Sequence, residues 1–216
     1  PGFINKTGGT GFGVRVLNTD PTPGTSVNLF RTAQLISDLT TSGVEGIRIE
    51  NAGTQQITIG NSSITSAPDN AIAVLGGTGN VNFAGSQTIN LPSAVTGNAG
   101  NAILIFDRPA LSSTVFQQNV NITNRNGRGL NLLSNAGTVS FNNPVSITAN
   151  TAALPTVAAV EYQDSSGSVF FGGTSSLTIT GGAGTGIVIG ELGTDNTGQF
   201  RVNGQTNINS IVNGID

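Results

Sequence analysis

The stretch GIRIENAGTQQITIGNSSITSAPDNAIAVLGGTGNVNFAGSQTINL, residues 46–91, holds one unit twice over. In its first half apolar residues stand one residue apart at Ile47 and Ile49, again at Ile57 and Ile59, and then at Ile64. In its second half Ile72 and Val74, Val81 and Phe83, and Ile89 and Leu91 take the same places. The steps from Ile47 to Ile72, from Ile57 to Val81 and from Ile64 to Ile89 are 25, 24 and 25 residues. Apolar residues alternating over three or four positions are strands with one face turned inward. Three such strands recurring at one period form one coil of a stacked repeat.

Working outward, the same triplet recurs on both sides. Upstream, Val14/Val16, Val27/Leu29 and Leu35 make a longer first coil, with the turn-rich stretch 18–24 as a surface loop. Leu29, Ala33, Ile36 and Leu39 also fall at near-helical spacing, so a short helix between Val27 and Thr40, closing one end, competes with the strand reading. Downstream, further coils open at Ile103/Ile105, Leu130/Leu132, Val160/Tyr162 and Ile187/Ile189. Successive starts at 47, 72, 103, 130, 160 and 187 are 25, 31, 27, 30 and 27 residues apart, the loops 92–100 and 148–156 absorbing part of the variation. The expectation is one domain over 1–216, with a lead-in, an irregular first coil or cap in 1–45 and regular coils over 46–216. Opening on Pro1 and holding no Met, the chain reads as a segment of a longer protein.

Composition excludes whole classes of function. Charged residues make up only 9% of the 216, against roughly a quarter in ordinary domains, so small polar side chains carry the solubility. The eight bases (Lys6, Arg15, Arg31, Arg48, Arg108, Arg125, Arg128 and Arg201) are scattered and the net charge is −3, which leaves no stripe to neutralise a nucleic acid. Without His or Cys there are no disulfides and none of the usual zinc, copper or thiolate-iron ligands. No apolar run approaches the roughly 20 residues of a membrane helix, so no membrane insertion of this segment is expected.

Three short parallel strands per coil, over six to seven coils, make an all-β chain. From Val14 to Ile208 it resembles the right-handed parallel β-helix of the pectin-lyase-like superfamily. A β-sandwich also spaces short strands evenly, but it has no need of the same triplet order six times. The resemblance rests on architecture. Asn18-Thr19-Asp20 matches an element of polygalacturonases, but the aspartate pair, the histidine element and the Arg-x-Lys element that accompany it in that family are missing. Asp107-Arg108-Pro109 is similar only in part to the acid-and-base chemistry of pectate lyases. The runs 76–79 and 181–184 begin like a calcium-binding nonapeptide, yet its aspartate is Val81 in one and Gly186 in the other.

In a stack, equivalent residues of successive coils lie about 4.8 Å apart. The third strands point outward Thr65, Asn90, Asn121, Ser146, Thr178 and Asn207, a ladder that bonds along the stack or offers a flat face to carbohydrate or ice. The second strands show Thr58, Asn82, Phe116, Ser140, Phe170 and Arg201, of which Phe116, Phe170 and Arg201 are the ligand-binding candidates. The first strands show Arg48, Ala73, Leu104, Asn131, Glu161 and Val188, and in the turn after them Asp107, Ser134, Asp164 and Glu191 take matching places. Neighbouring Asp164 and Glu191 would either bind calcium or share a proton as acid and base. With Asp107 and Arg108 they form the one catalytic constellation available. The ordinary role of exposed acids in turns competes with it.

Coils of Ile, Val, Thr, Asn, Ser and Gly without cysteine are similar to bacterial surface adhesins and autotransporter passenger domains. That resemblance implies a non-enzymatic extracellular stalk or adhesion module at the bacterial outer surface, without cofactor and tethered within a longer chain. Its partner is a protein or glycan of a host or neighbouring cell. The alternative is a module that binds or cleaves polysaccharide, with calcium as its cofactor. A side-by-side trimer like those of phage tail spikes is a third reading, which the outward ladders are not apolar enough to favour.

Overall fold

A computed structural model of the chain describes residues 5–6, 12–17, 26–36, 45–53, 56–65, 67, 69–91, 100–124, 127–149, 158–172, 176–180, 185–190, 196–209 and 213–215. Among these residues there are strands and no helix, and every strand pairing is parallel. An eight-stranded sheet runs through Val14–Leu17, Ile47–Glu50, Ile72–Leu75, Ile103–Phe106, Leu130–Leu133, Ala158–Gln163, Thr185–Ile189 and Asn213–Ile215. We call it the first column.

A 13-stranded sheet has two arms that meet in the long strand Gln56–Thr65. One arm, the second column, continues through Asn80–Phe83, Ser113–Phe116, Thr138–Phe141, Ser168–Phe171 and Gln199–Val202. The other, the third column, continues through Gln87–Leu91, Val120–Asn124, Val145–Ala149, Leu177–Thr180 and Thr206–Asn209. From Ile72 onward the chain returns to each column at every third strand, and before that one long strand serves both arms, an arrangement consistent with a β-helix; one pass through the three columns is a circuit. Where a helix competed between Val27 and Thr40, Ser26–Ile36 is a strand that pairs along Gln56–Thr65 with a register shift between Leu29 and Thr32. Backbone pairing with the neighbouring strand overrides the near-helical spacing, as tertiary context commonly does. Residues 37–40 lie outside the described residues.

The core is a set of like-on-like rows. Ile64, Ile89, Ile122, Ile147 and Ile179 are buried one above another in the third column. Phe83, Phe116, Phe141 and Phe171 do the same in the second, with ring centroids 4.5, 4.8 and 4.7 Å apart and planes within 10° of parallel. The separation is about the spacing of paired strands, so the backbone ladder holds the rings in stacking contact. Each buried ring contributes about 1.5–3 kcal/mol.

Two rows differ from the sequence expectation. In Ser113–Phe116 the inward residues are Thr114 and Phe116, both buried, while Val115 points outward and is half-buried. Phe116 is therefore a core residue and not an exposed aromatic. A one-residue slip exchanges the two faces of a strand, and the pair Val115-Phe116 gave no alternation to decide between them. In the third column Gln87 pairs with Ser62 and Val120. Fully buried, it accepts a hydrogen bond from Ser62 Oγ and donates to Gly60 O at 2.9 Å and Gly85 O at 2.7 Å.

That register sorts the outward ladder into two ranks. One runs Ser63, Thr88, Asn121, Ser146, Thr178 and Asn207; the other runs Thr65, Asn90, Thr123, Thr148, Thr180 and Asn209. Every circuit from the second onward contributes a small polar residue, an inward isoleucine and a second Thr or Asn.

Candidate functional site

The corner after the first column is where the sequence placed its catalytic constellation. Five residues there share one left-handed conformation: Asn51 (φ 50), Gly76 (φ 55), Asp107 (φ 53), Ser134 (φ 51) and Asp164 (φ 50). Short polar side chains and glycine tolerate that region, because a local hydrogen bond or a missing Cβ offsets the steric cost. Asp107, Ser134 and Asp164 do stand in line, each one residue beyond the paired Phe106, Leu133 and Gln163. Both aspartates are exposed, and with Ser134 between them they are two strand spacings apart, about 10 Å. Glu191, the expected partner of Asp164, lies outside the described residues.

Arg108 turns away from both acids. It is 1% exposed and lies over the preceding corner, with Nη1 donating to Gly76 O and to Gly77 O at 2.6 Å, and Nη2 donating to Gly79 O and to Ser113 O at 3.3 Å. Burial lowers its pKa to about 10, which leaves it cationic at neutral pH. Gly77, at φ 73, makes this corner tight: a Cβ there would lie 2.3 Å from Ala52 O. Arg108 is a brace between two circuits, and the set Asp107, Arg108, Asp164 does not converge on a common point.

The ligand-binding candidates also separate. Phe116 is in the core, while Phe170 is half-buried on the outer side of the second column, paired with Ser140 on one side and exposed Arg201 on the other.

The first column joins the outward Arg48, Asn131 and Glu161 to polar groups that the sequence expectation did not include. Arg48 bonds Glu45 Oε2 at 2.8 Å and Glu50 Oε2 at 3.0 Å, Arg15 reaches Glu50 at 3.4 Å, and the Phe12 ring lies 4.9 Å from the Arg15 guanidinium carbon. Burial opposes the Arg48 charge, but the bonds to Glu50 and Glu45 outweigh it and raise its pKa, while the bond from Arg48 holds the Glu50 carboxyl below its ordinary value. Asp69 is pushed up, first by burial and then by Glu45.

Glu45 also begins a side-chain ladder. Asn70 Nδ2 donates to Glu45 Oε1 at 2.8 Å, and Asn101 Nδ2 donates to Asn70 Oδ1 at 2.8 Å. Two circuits beyond Asn70, Arg128 Nε bonds the buried Glu161 carboxylate, which also accepts from Ala158 N at 3.1 Å. Asn131, 9% exposed, sits beside Glu161 with Oδ1 unbonded. The signal for these groups was present in the sequence, since Glu45, Asn70, Asn101 and Arg128 each precede the small residue that opens a first-column strand.

Among the described residues no group of three or more His, Cys, Asp or Glu is placed to hold a metal ion, and no helix is long and apolar enough to cross a membrane. No protein-family model, no curated protein and no solved structure matches the chain.

Proposed function

We propose that the chain is a segment of a right-handed parallel β-helix of the pectin-lyase-like kind, serving without catalysis as a stalk or adhesion module on the outer surface of a bacterial cell. The observation that carries this reading is how the charged groups are used. Arg108 braces one corner against the next, Arg48 and Arg128 pair with glutamates, and Asp107 and Asp164 stay apart and solvated. An active site gathers such groups into one cleft; here Arg48, Arg108 and Arg128 are bonded within the stack and the two aspartates stand apart. Circuits that each lean on their neighbours extend a surface outward at low cost in sequence.

A polysaccharide-binding reading has one observation of its own. The two outward ranks of Ser, Thr and Asn in the third column are uncharged and evenly spaced, which suits a hydroxyl-rich chain, and calcium at Asp164 and Glu191 belongs to the cleaving version of that reading. A glycan-array screen with and without calcium, followed by a reducing-end assay, separates the readings. The expected result is no product from any polysaccharide, with Asp164→Asn behaving as the parent. Calcium-dependent product release that Asp164→Asn abolishes overturns the proposal.

A further inference from the structure

Three asparagines stand directly before a glycine: Asn126, Asn203 and Asn213. Asn126 lies outside the described residues, and Asn213 opens the strand Asn213–Ile215, which is paired with Thr185–Ile189. Of the two described, only Asn203 sits in a corner, the one that joins Gln199–Val202 of the second column to Thr206–Asn209 of the third. Asn203 is exposed and Gly204 forms a bend. Among the described residues neither the Asn203 side-chain amide nor Gly204 N has a hydrogen-bond partner.

Both flanks of this corner are pinned. Asn203 N donates to Phe171 O at 2.9 Å, and Gln205 O accepts from Leu177 N at 3.0 Å. The unbonded pair is held between two fixed points.

An earlier circuit supplies the comparison. Register aligns Phe141, Phe171 and Val202, so Asn142 and Asn203 each follow the last residue of a second-column strand. Asn142 is exposed as well, and its N donates to Phe116 O at 2.9 Å. What differs is the next residue. Asn143 carries a side chain whose Nδ2 donates to Gln117 O, whereas Gly204 has no Cβ to hinder approach to its N. Since Asn143 and, one circuit before it, Gln118 hold the same place, the corner does not require glycine.

We propose that Asn203 is a self-modifying site, at which the backbone nitrogen of Gly204 displaces ammonia from the asparagine side chain. Gly204 N gives its proton to hydroxide and attacks Asn203 Cγ. The new N–Cγ bond closes a cyclic imide as the bond from Cγ to the amide nitrogen breaks and ammonia leaves. Water then opens the imide at either carbonyl, which leaves aspartate or, with the main chain rerouted through the side-chain carboxyl, isoaspartate. Asparagine is thermolabile in general; the exposed corner and the unbonded Gly204 N single out this one. Isoaspartate lengthens the main chain by one carbon, about 1.5 Å. A corner pinned at Phe171 O and at Leu177 N cannot take up that length with both bonds intact, so the last circuit loosens. The inference needs only the fold, and stands apart from the functional reading above.

Incubation of the whole native chain at mildly alkaline pH tests it, with peptide mapping and fragment ions to place the change. Asn203 should gain about one dalton at a rate at least about tenfold above that of Asn142. Gly204→Ala should slow this conversion about tenfold while the chain still folds, because side chains occupy its place in other circuits. Amide hydrogen exchange over Gln199–Val202 should quicken in the isoaspartate form. Conversion of Asn203 no faster than that of Asn142 overturns the proposal, as does an unslowed rate in Gly204→Ala. Unchanged exchange in the isoaspartate form overturns the loosening.

Discussion

The ring of Phe116 lies 4.5 Å from that of Phe83 and within 2° of parallel to it, and the next ring, Phe141, is 4.8 Å away on the other side. Since the rings belong to paired strands, each stack contact joins two circuits as well as filling the core. Phe116→Ala removes an inner member of the row, and the loss is expected to be about 3–5 kcal/mol. Phe116→Leu, which keeps most of the volume, should lose less. Chemical denaturation of the three proteins measures this, and a loss below about 1 kcal/mol for alanine would contradict a core position.

Arg108 gives a second prediction. Removing its guanidinium leaves the carbonyls of Gly76, Gly77, Gly79 and Ser113 without that donor. Arg108→Met keeps the aliphatic stem and should still destabilise by about 1–3 kcal/mol, because the buried Gly79 O and the part-buried carbonyls beside it lose their donor. Arg108→Lys recovers only part, since one ammonium cannot span the carbonyls that the planar fork reaches. Equal stability of Arg108→Met and the parent in a denaturant melt would show that the brace contributes nothing.

The strand columns were legible from Ile47 to Ile208 because inward isoleucine, valine and leucine repeat wherever the backbone ladder does. Legibility ended where an inward place is polar or two apolar residues are adjacent. Gln87 and Thr114 occupy core rows, so the apolar pattern by itself sets Phe116 on the outer face and merges two outward ranks into one ladder. The corner acids Asp107 and Asp164 were aligned from sequence, since register alone fixes their rungs. The direction of Arg108 was not, because its inward turn is set by carbonyls of the previous corner, those of Gly76, Gly77 and Gly79, which no residue type announces. Neighbours along the chain, Asp107 and Arg108 serve opposite sides of the wall.

The carboxyls near Arg48 respond to pH in opposite senses. Glu50 has its pKa lowered by the bond from Arg48, so its contribution is present above the ordinary value of 4.5 and is lost as pH falls through the lowered one. Asp69 has its pKa raised by burial and by Glu45, so the fold takes up a proton before the unfolded chain does, and stability falls as pH climbs from 3.8 through the raised value. Asp69→Asn should therefore melt at or above the parent temperature near neutral pH, while Glu50→Gln should melt below it, with that deficit fading in acid. Melting curves from acid to neutral pH check both signs, and a lower melting temperature for Asp69→Asn at neutral pH would refute the first.

Tyr162 is the only tyrosine and there is no tryptophan, so the phenolate absorbance of this chain reports one residue. Its ring is fully buried, 6.0 Å from the Phe200 ring, and its hydroxyl donates to Gly167 O at 2.7 Å. Burial raises its pKa above the ordinary 10.0, so an alkaline titration of the native protein should show phenolate only beyond that point, and the unfolded protein near it. The fold keeps a proton that the unfolded chain gives up, and stability must then decline as pH rises from 10.0 through the raised value. Tyr162→Phe loses the hydroxyl's bond and should be weaker at neutral pH by about 0.5–1.5 kcal/mol. The variant should also lack that part of the alkaline decline, so the two stability curves converge above pH 10.0. Native phenolate appearing at the ordinary value would place this ring in water and remove the basis for both effects.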